Sequence, residues 1–209
     1  MKRPPTVIVL AAGRGSRFVS TAHKLLQPFG KSTVLGSALD HVIESGLQLR
    51  VVTTAVVTAE ARRHVAQRDI VELPEVSGQP GDTLGMGYSI ASGVAASADA
   101  GGWLVLPADM PTVRPSSLLA VAAKLPQHIV VYAQHRGRRG HPVGFSAELY
   151  SELVQLSGDE GARRLVARYP SFGVELDDPG VLVDVDTNDD LAALHAATKA
   201  GSSGQAARN

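Results

Sequence analysis

Three carboxylates and a run of cations have the types and spacing for phosphate chemistry. The segment 10–24 reads LAAGRGSRFVSTAHK. Gly13 and Gly15 let backbone amides come close to an anion and tolerate positive φ. Arg14, Arg17 and Lys24 add three positive charges with no acid among them. An amide-rich loop carrying three cations suits a triphosphate; the bland alternative is a glycine turn with solvated arginines. Asp109 stands alone in LPADMP (106–111), bracketed by prolines that stiffen the turn. One such carboxylate is enough for Mg2+, which takes one or two carboxylates plus phosphate oxygens and waters. The alternative is that Asp109 caps a local turn. Asp184 and Asp186 lie two apart in DVDT. On a strand they would share a face, and adjacent carboxylates repel unless a cation lies near. The alternative for Asp186 is a cap for the helix that follows.

Three further segments carry weaker signals. Gly85 and Gly87 in GDTLGMGYS fall at a helix start, where free amides could face an anion or a base edge, or where glycine merely allows close packing. HRGRRGHPVG (135–144) reads as a basic loop suited to a small anionic ligand, in which a lone histidine such as His141 is more often structural than functional. GDEGAR (158–163) reads as a helix start, with Ser157 and Glu160 as a capping box. Two common phosphate motifs fail. A dinucleotide fingerprint beginning at Gly13 meets Phe18 at its last glycine place. A GxxxxGK[ST] loop ending in Gly30-Lys31-Ser32 meets Leu25 at its first, so Gly30-Lys31 reads as a turn.

The elements that must position these residues alternate. Strands are expected over 6–11, 50–54, 70–73, 103–106, 129–133, 141–145, 172–176 and 181–185. Helices are expected over 32–45, 58–67, 83–97, 115–124, 146–156, 160–168 and 188–199. Ser32 is the expected cap of the first helix, and Thr187 with Asp190 forms a capping box for the last. This order predicts an α/β fold, three-layer and Rossmann-like, with a mostly parallel central sheet. Ligands of such sheets bind beyond the carboxyl ends of the strands, where strand order reverses. That rule points to the loops after Leu10, Thr54, Leu106, Tyr132 and Val185.

Composition bounds the function. The 209 residues predict one domain over 1–200 with a frayed tail over 201–209. Lys+Arg and Asp+Glu are both 20, which disfavours a sequence-blind nucleic-acid binder and a polybasic membrane anchor. Cysteine is absent, which excludes disulfides, thiolate zinc sites and cysteine nucleophiles. Aromatics make up only 4%, so the core must be Ala, Val, Leu and Ile. Lys2 and Arg3 before 7–12 imitate a leader peptide, but the apolar run is short and Arg14 and Arg17 interrupt it; a cytoplasmic protein is expected.

LAAGRGSRF followed by HKLLQPFGKSTVLGSAL is similar to the signature of MobA-like nucleotidyltransferases, and the resemblance runs from Val9 to Leu191 through PADMP, GMG, GHPV, GDEGAR and DVDTNDDL. It implies a Rossmann-like enzyme that moves a nucleoside monophosphate from a triphosphate to a phosphorylated acceptor. By that resemblance Leu10, Ala11, Ala12 and Gly13 frame base and ribose. Arg14, Gly15, Gly85 and Gly87 lie against the nucleotide. Arg17 and Lys24 hold the triphosphate and stabilise leaving pyrophosphate, Asp109 and Asp186 hold Mg2+, and His141, Arg163 and Asp184 face the acceptor. Phe18, Val19 and a longer Arg17–Lys24 spacing depart from the pattern.

Within the family, Ala11-Ala12-Gly13 and PADMP resemble the cytidylyl branch. That implies transfer of CMP from CTP to molybdopterin, giving molybdopterin cytosine dinucleotide and pyrophosphate. The implied partners are CTP, molybdopterin and, transiently, a molybdenum hydroxylase apoenzyme or its chaperone, with no nucleic acid and no membrane. The alternatives are transfer of GMP or another nucleotide to molybdopterin or a sugar phosphate, an NAD(P)H-dependent reductase, and a non-catalytic cofactor carrier.

Overall fold

The computed structural model describes residues 3–13, 23–74 and 84–196. β1 (Thr6–Ala11) is buried on both faces, as an unbroken apolar run in a central parallel strand requires. After a 3-10 turn at Lys24–Leu26, β2 (Pro28–Phe29) and β3 (Ser32–Thr33) form a small hairpin, with Gly30 at φ +59° in its turn. α1 (Val34–Glu44) leads to β4 (Gln48–Thr53), and α2 (Ala55–His64) to β5 (Ile70–Glu72). α3 (Gly85–Ala95) precedes β6 (Gly102–Pro107), and α4 (Pro115–Ala122) precedes β7 (Val130–His135) and β8 (Arg138–Ser146). α5 (Tyr150–Leu153), α6 (Arg163–Arg168) and β9 (Ser171–Glu175) follow, and residues 188–196 are helical.

The seven-stranded sheet has the order β5-β4-β1-β6-β8-β7-β9. Its pairs are parallel except where β8 meets β6 and β7. Successive β1 side chains enter different cores, as the period of two demands. Val7 and Val9 pack with Leu35, Leu39, Leu118 and Val121 of α1 and α4. Ile8 packs with Ile90, Val94, Leu153 and Leu165 of α3, α5 and α6. The expected three-layer α/β architecture is therefore present. The chain moves outward from β1 to β4 and β5, then crosses to β6, so strand order reverses between β1 and β6.

Four local expectations need correction. The cap of α1 is Thr33 rather than Ser32: its Oγ1 accepts from Gly36 N at 2.9 Å and donates to Glu60 Oε1 of α2 at 2.8 Å. The segment 146–156 is not one helix but a 3-10 turn (Ala147–Leu149) followed by the short α5. The helix expected from Glu160 starts at Arg163, because Gly158 and Gly161 adopt positive φ and turn the chain first. The strand expected over 181–185 is absent. Pro179–Leu182 form a 3-10 turn whose Asp178 cap accepts from Gly180 N at 3.0 Å, and 183–186 are irregular.

The basic stretch around 136–139 is also not an open loop. Arg136 (φ 51°) and Gly137 (φ +74°) form a two-residue hairpin turn between β7 and β8, where positive φ at both places matches strand twist. Glu175 of β9 accepts from both turn amides. Arg139 lies 4.3 Å over the Tyr132 ring.

Candidate active site

The loops after β1 and β6 meet at the reversal point. Ala108 N donates to Leu10 O at 3.1 Å, tying the LPADMP turn to the end of β1. His23 spans the entry to Lys24, with Nε2 2.9 Å from Gly13 O and Nδ1 accepting from Leu25 N at 3.2 Å. Leu25, only 3% exposed, anchors the 3-10 turn in the core and leaves Lys24 directed at the carboxylates.

Lys24 Nζ donates to Asp109 Oδ2 at 2.6 Å and to Asp186 Oδ1 at 2.9 Å. All three side chains are mostly buried, at 11%, 18% and 21% exposure. Asp184 completes the group: Asp109, Asp184 and Asp186 each offer an oxygen within 4.8 Å of the others. Asp184 and Asp186 do not reach this place on a strand. The turn at Pro179–Leu182 delivers them, and Val185 N then donates to Asp109 O at 2.9 Å. Asp190 Oδ2 accepts from Asp186 N and Thr187 N, and Thr187 Oγ1 accepts from Asp190 N, so the expected capping box also fixes Asp186.

The antiparallel β8 explains His141. Val105 pairs with Val143, and β8 then bulges before Arg139 pairs with Gln134; within that bulge His141 feels the charges of Asp109 and Asp184. Burial pushes its imidazole below the ordinary 6.5, against the pull of Asp109 and Asp184. Burial also pulls the Lys24 ammonium down, but the Asp109 charge and the bonds to Asp109 and Asp186 outweigh it and hold Lys24 above 10.5. The Asp184 carboxyl is pushed up by burial and by repulsion from Asp109 and Asp186.

Hard oxygen donors gathered this closely suit an Mg2+ or Mn2+ ion, and an ammonium stands between two of them as a cation would. The donor set fits a divalent cation.

The other expected residues divide. Leu10, Ala11, Ala12 and Gly13 line the end of β1 next to this cluster. Arg14, Gly15 and Arg17 lie outside the described residues. Gly85 and Gly87 start α3, where a Cβ on either would collide with the backbone of 157–158, and Gly87 N donates to Gly158 O at 2.8 Å. Arg163 is exposed at the first residue of α6 and is not among the charges that act on Asp184 or His141.

Sequence reasoning passed over His23 and Asp178. Asp178 is 3% exposed and accepts from Arg114 N (3.0 Å), Ser117 Oγ (2.6 Å) and Gly180 N (3.0 Å), fastening the turn before Asp184 to the start of α4. The dipeptide Asp178-Pro179 ahead of a glycine was its available turn signal.

Comparison with known proteins bears on the fold and the family. The structure of Rv0371c from Mycobacterium tuberculosis H37Rv is similar over 94% of this chain and 99% of its own, at 30% identity and a TM-score of 0.79. A second structure of that protein, at 29% identity, a TM-score of 0.75 and coverage of 92% and 98%, is a complex with manganese. The purine catabolism protein PucB of Bacillus subtilis is 37% identical over 109 residues, 49% of this chain and 52% of its own length. The bifunctional protein GlmU of Zymomonas mobilis is 30% identical over 124 residues, 59% of this chain and 27% of its own. The chain thus spans only about a quarter to a half of these curated relatives. The model of the MobA-like NTP transferase domain matches residues 7–172, and the chain belongs to that family.

Proposed function

We propose that this protein is a nucleotidyltransferase that moves CMP from CTP to molybdopterin, releasing pyrophosphate. One observation carries the transferase reading: Lys24 and three carboxylates converge at the carboxyl ends of β1 and β6, where strand order reverses. Family membership supports it. The choice of CTP and molybdopterin rests on the Ala11-Ala12-Gly13 and PADMP segments.

In this reading an oxygen of the acceptor's terminal phosphate attacks the α-phosphorus of CTP, and the bond to the β-phosphate bridge oxygen breaks. The attacking phosphate is already anionic at neutral pH, so no strong base is needed. Asp109 and Asp186 would hold a divalent cation, Mg2+, which supplies charge neutralisation at the transferring phosphate when bound. Lys24, and Arg17 from the loop before it, stabilise the departing pyrophosphate. The end of β1 at Leu10–Gly13 frames the nucleoside, with Arg14, Gly15, Gly85 and Gly87 against it. His141, held neutral by burial, can donate one hydrogen bond to the acceptor, near Asp184 and Arg163. Positioning and electrostatics carry the rate.

The test is pyrophosphate release with Mg2+, molybdopterin and each of CTP, GTP, ATP and UTP. CTP is expected to be preferred, and Asp109→Asn to lower turnover by about 100-fold or more, the scale for losing a charge-stabilising group. Preference for GTP moves the protein to guanylyl transfer. Near wild-type turnover by the Asp109→Asn variant removes the metal assignment. Thermal stabilisation by NADPH alone, with none from any nucleoside triphosphate, overturns the transferase reading.

A further inference from the structure

We propose that Lys24 is the resident counter-ion of the carboxylate cluster and is exchanged for the divalent cation, so that metal entry releases its ammonium to the anionic substrate. This rests on the metal reading of the cluster given above. Asp109 Oδ1 is turned into the protein, with under 1 Å² exposed, and has no hydrogen-bond partner. Its other oxygen, Oδ2, carries Lys24 Nζ at 2.6 Å, and the same ammonium holds Asp186 Oδ1 at 2.9 Å. Mg2+ requires oxygens near 2.0–2.1 Å in octahedral array and tolerates little distortion. An ion taking Asp109 and Asp186 through these oxygens therefore meets an ammonium already on both. Like charges so close repel strongly away from bulk water.

The exchange needs no backbone change. Leu25 fixes the turn in the core, so the movement falls on the four-carbon stem of Lys24, which has rotatable bonds of its own. Asp184 gives the incoming ion a foothold, since it belongs to the cluster while Lys24 pairs with Asp109 and Asp186. An expelled ammonium returns to the carboxylates unless an anion receives it. A triphosphate is such an anion, so metal and nucleotide each favour the binding of the other.

The test uses the full chain. Mn2+ affinity is measured by electron paramagnetic resonance for wild type and Lys24→Met, each with and without CTP. Without CTP the variant is expected to bind Mn2+ about tenfold more tightly, within the usual range of coupling between neighbouring sites, and CTP is expected to narrow the gap. In parallel, acetic anhydride labelling of wild-type Lys24 is followed by peptide mass mapping, with the exposed Lys31 and Lys124 as references. Mn2+ is expected to raise Lys24 labelling several-fold, and CTP added with Mn2+ to lower it again. The wild-type labelling stands even if the variant folds poorly.

Equal Mn2+ affinities overturn the exchange and leave the transferase reading standing. Tighter binding by the variant with unchanged Lys24 labelling also overturns it, since that is repulsion through space without displacement. No Mn2+ bound by either protein, with or without CTP, overturns the metal reading itself and the exchange with it.

Discussion

Replacing Asp178 by alanine should destabilise the protein by about 3–5 kcal/mol and misplace the carboxylate cluster. The side chain is only 4% exposed and accepts three hydrogen bonds, from Arg114 N, Ser117 Oγ and Gly180 N. A bond to a charged acceptor contributes about 1.5–3 kcal/mol, but three bonds on one carboxylate are not additive, and a buried charged network typically costs about 3–5 kcal/mol to break. The Arg114 guanidinium, 3.7 Å away and 56% exposed, adds little to this. Against a usual stability of about 5–15 kcal/mol the variant remains folded but marginal. Urea unfolding of wild type, Asp178→Ala and Ser117→Ala reads the effect as a lower midpoint at constant slope. Ser117→Ala removes one of these donors and should cost about 1.5–3 kcal/mol, less than loss of the whole network. Turnover of Asp178→Ala should also fall, since the turn it holds leads into Asp184 and Asp186. A loss below about 1 kcal/mol, or equal losses for the two variants, would refute the network as the anchor of that turn.

Gly87→Ala should cost about 1–3 kcal/mol in the same unfolding assay, because its Cβ would stand 2.6 Å from Ser157 O and 2.7 Å from Ser157 N, and neither backbone atom can retreat cheaply. Glu175→Gln should lose stability only above acid pH. Burial alone would raise the Glu175 carboxyl, but bonds from Arg136 N, Gly137 N and Gln134 hold it below its ordinary 4.5. A depressed carboxyl contributes its stability above the unfolded value and loses it as pH falls through the folded one. The difference in midpoint between wild type and variant should therefore be constant above pH 4.5 and close below it. Thr187→Ala removes the acceptor for Asp190 N at the final helix and should lower stability by about 1 kcal/mol, read as a drop in melting temperature.

The sheet centre was legible because burial on both faces writes itself into composition. TVIVLA and GWLVLP leave no polar position for solvent, and they became β1 and β6. The capping box at Thr187 and Asp190 was legible because its partners are three residues apart. The apolar alternation of VLVDV misled. Asp178 draws the chain into a 3-10 turn through donors on α4, and those donors lie 61 and 64 positions away. Arg138, Arg139 and Gly140 read as loop because they are polar, yet they extend β8, whose tip is fastened by Glu175 and by the Tyr132 ring.

The candidate site shows the same division between local and distant causes. Residue types at strand ends pointed to Lys24, Asp109 and Asp186 because ligand chemistry in this fold collects where strand order reverses. Sequence placed Lys24 with the phosphates and the aspartates with the metal, as two separate halves. The fold joins them: Lys24 reaches Asp109 across 85 positions and Asp186 across 162, and holds both. No spacing rule reports that contact. It follows from His23 bonding to Gly13, Leu25 burying itself in the core, and Val185 donating to the Asp109 carbonyl. Under the proposed function Lys24 binds phosphate when substrate is present and needs an anion when it is absent, and three carboxylates crowded within 4.8 Å need a cation when no metal is bound. Each group supplies what the other lacks, which is why charges expected to act on different ligands are found paired with each other.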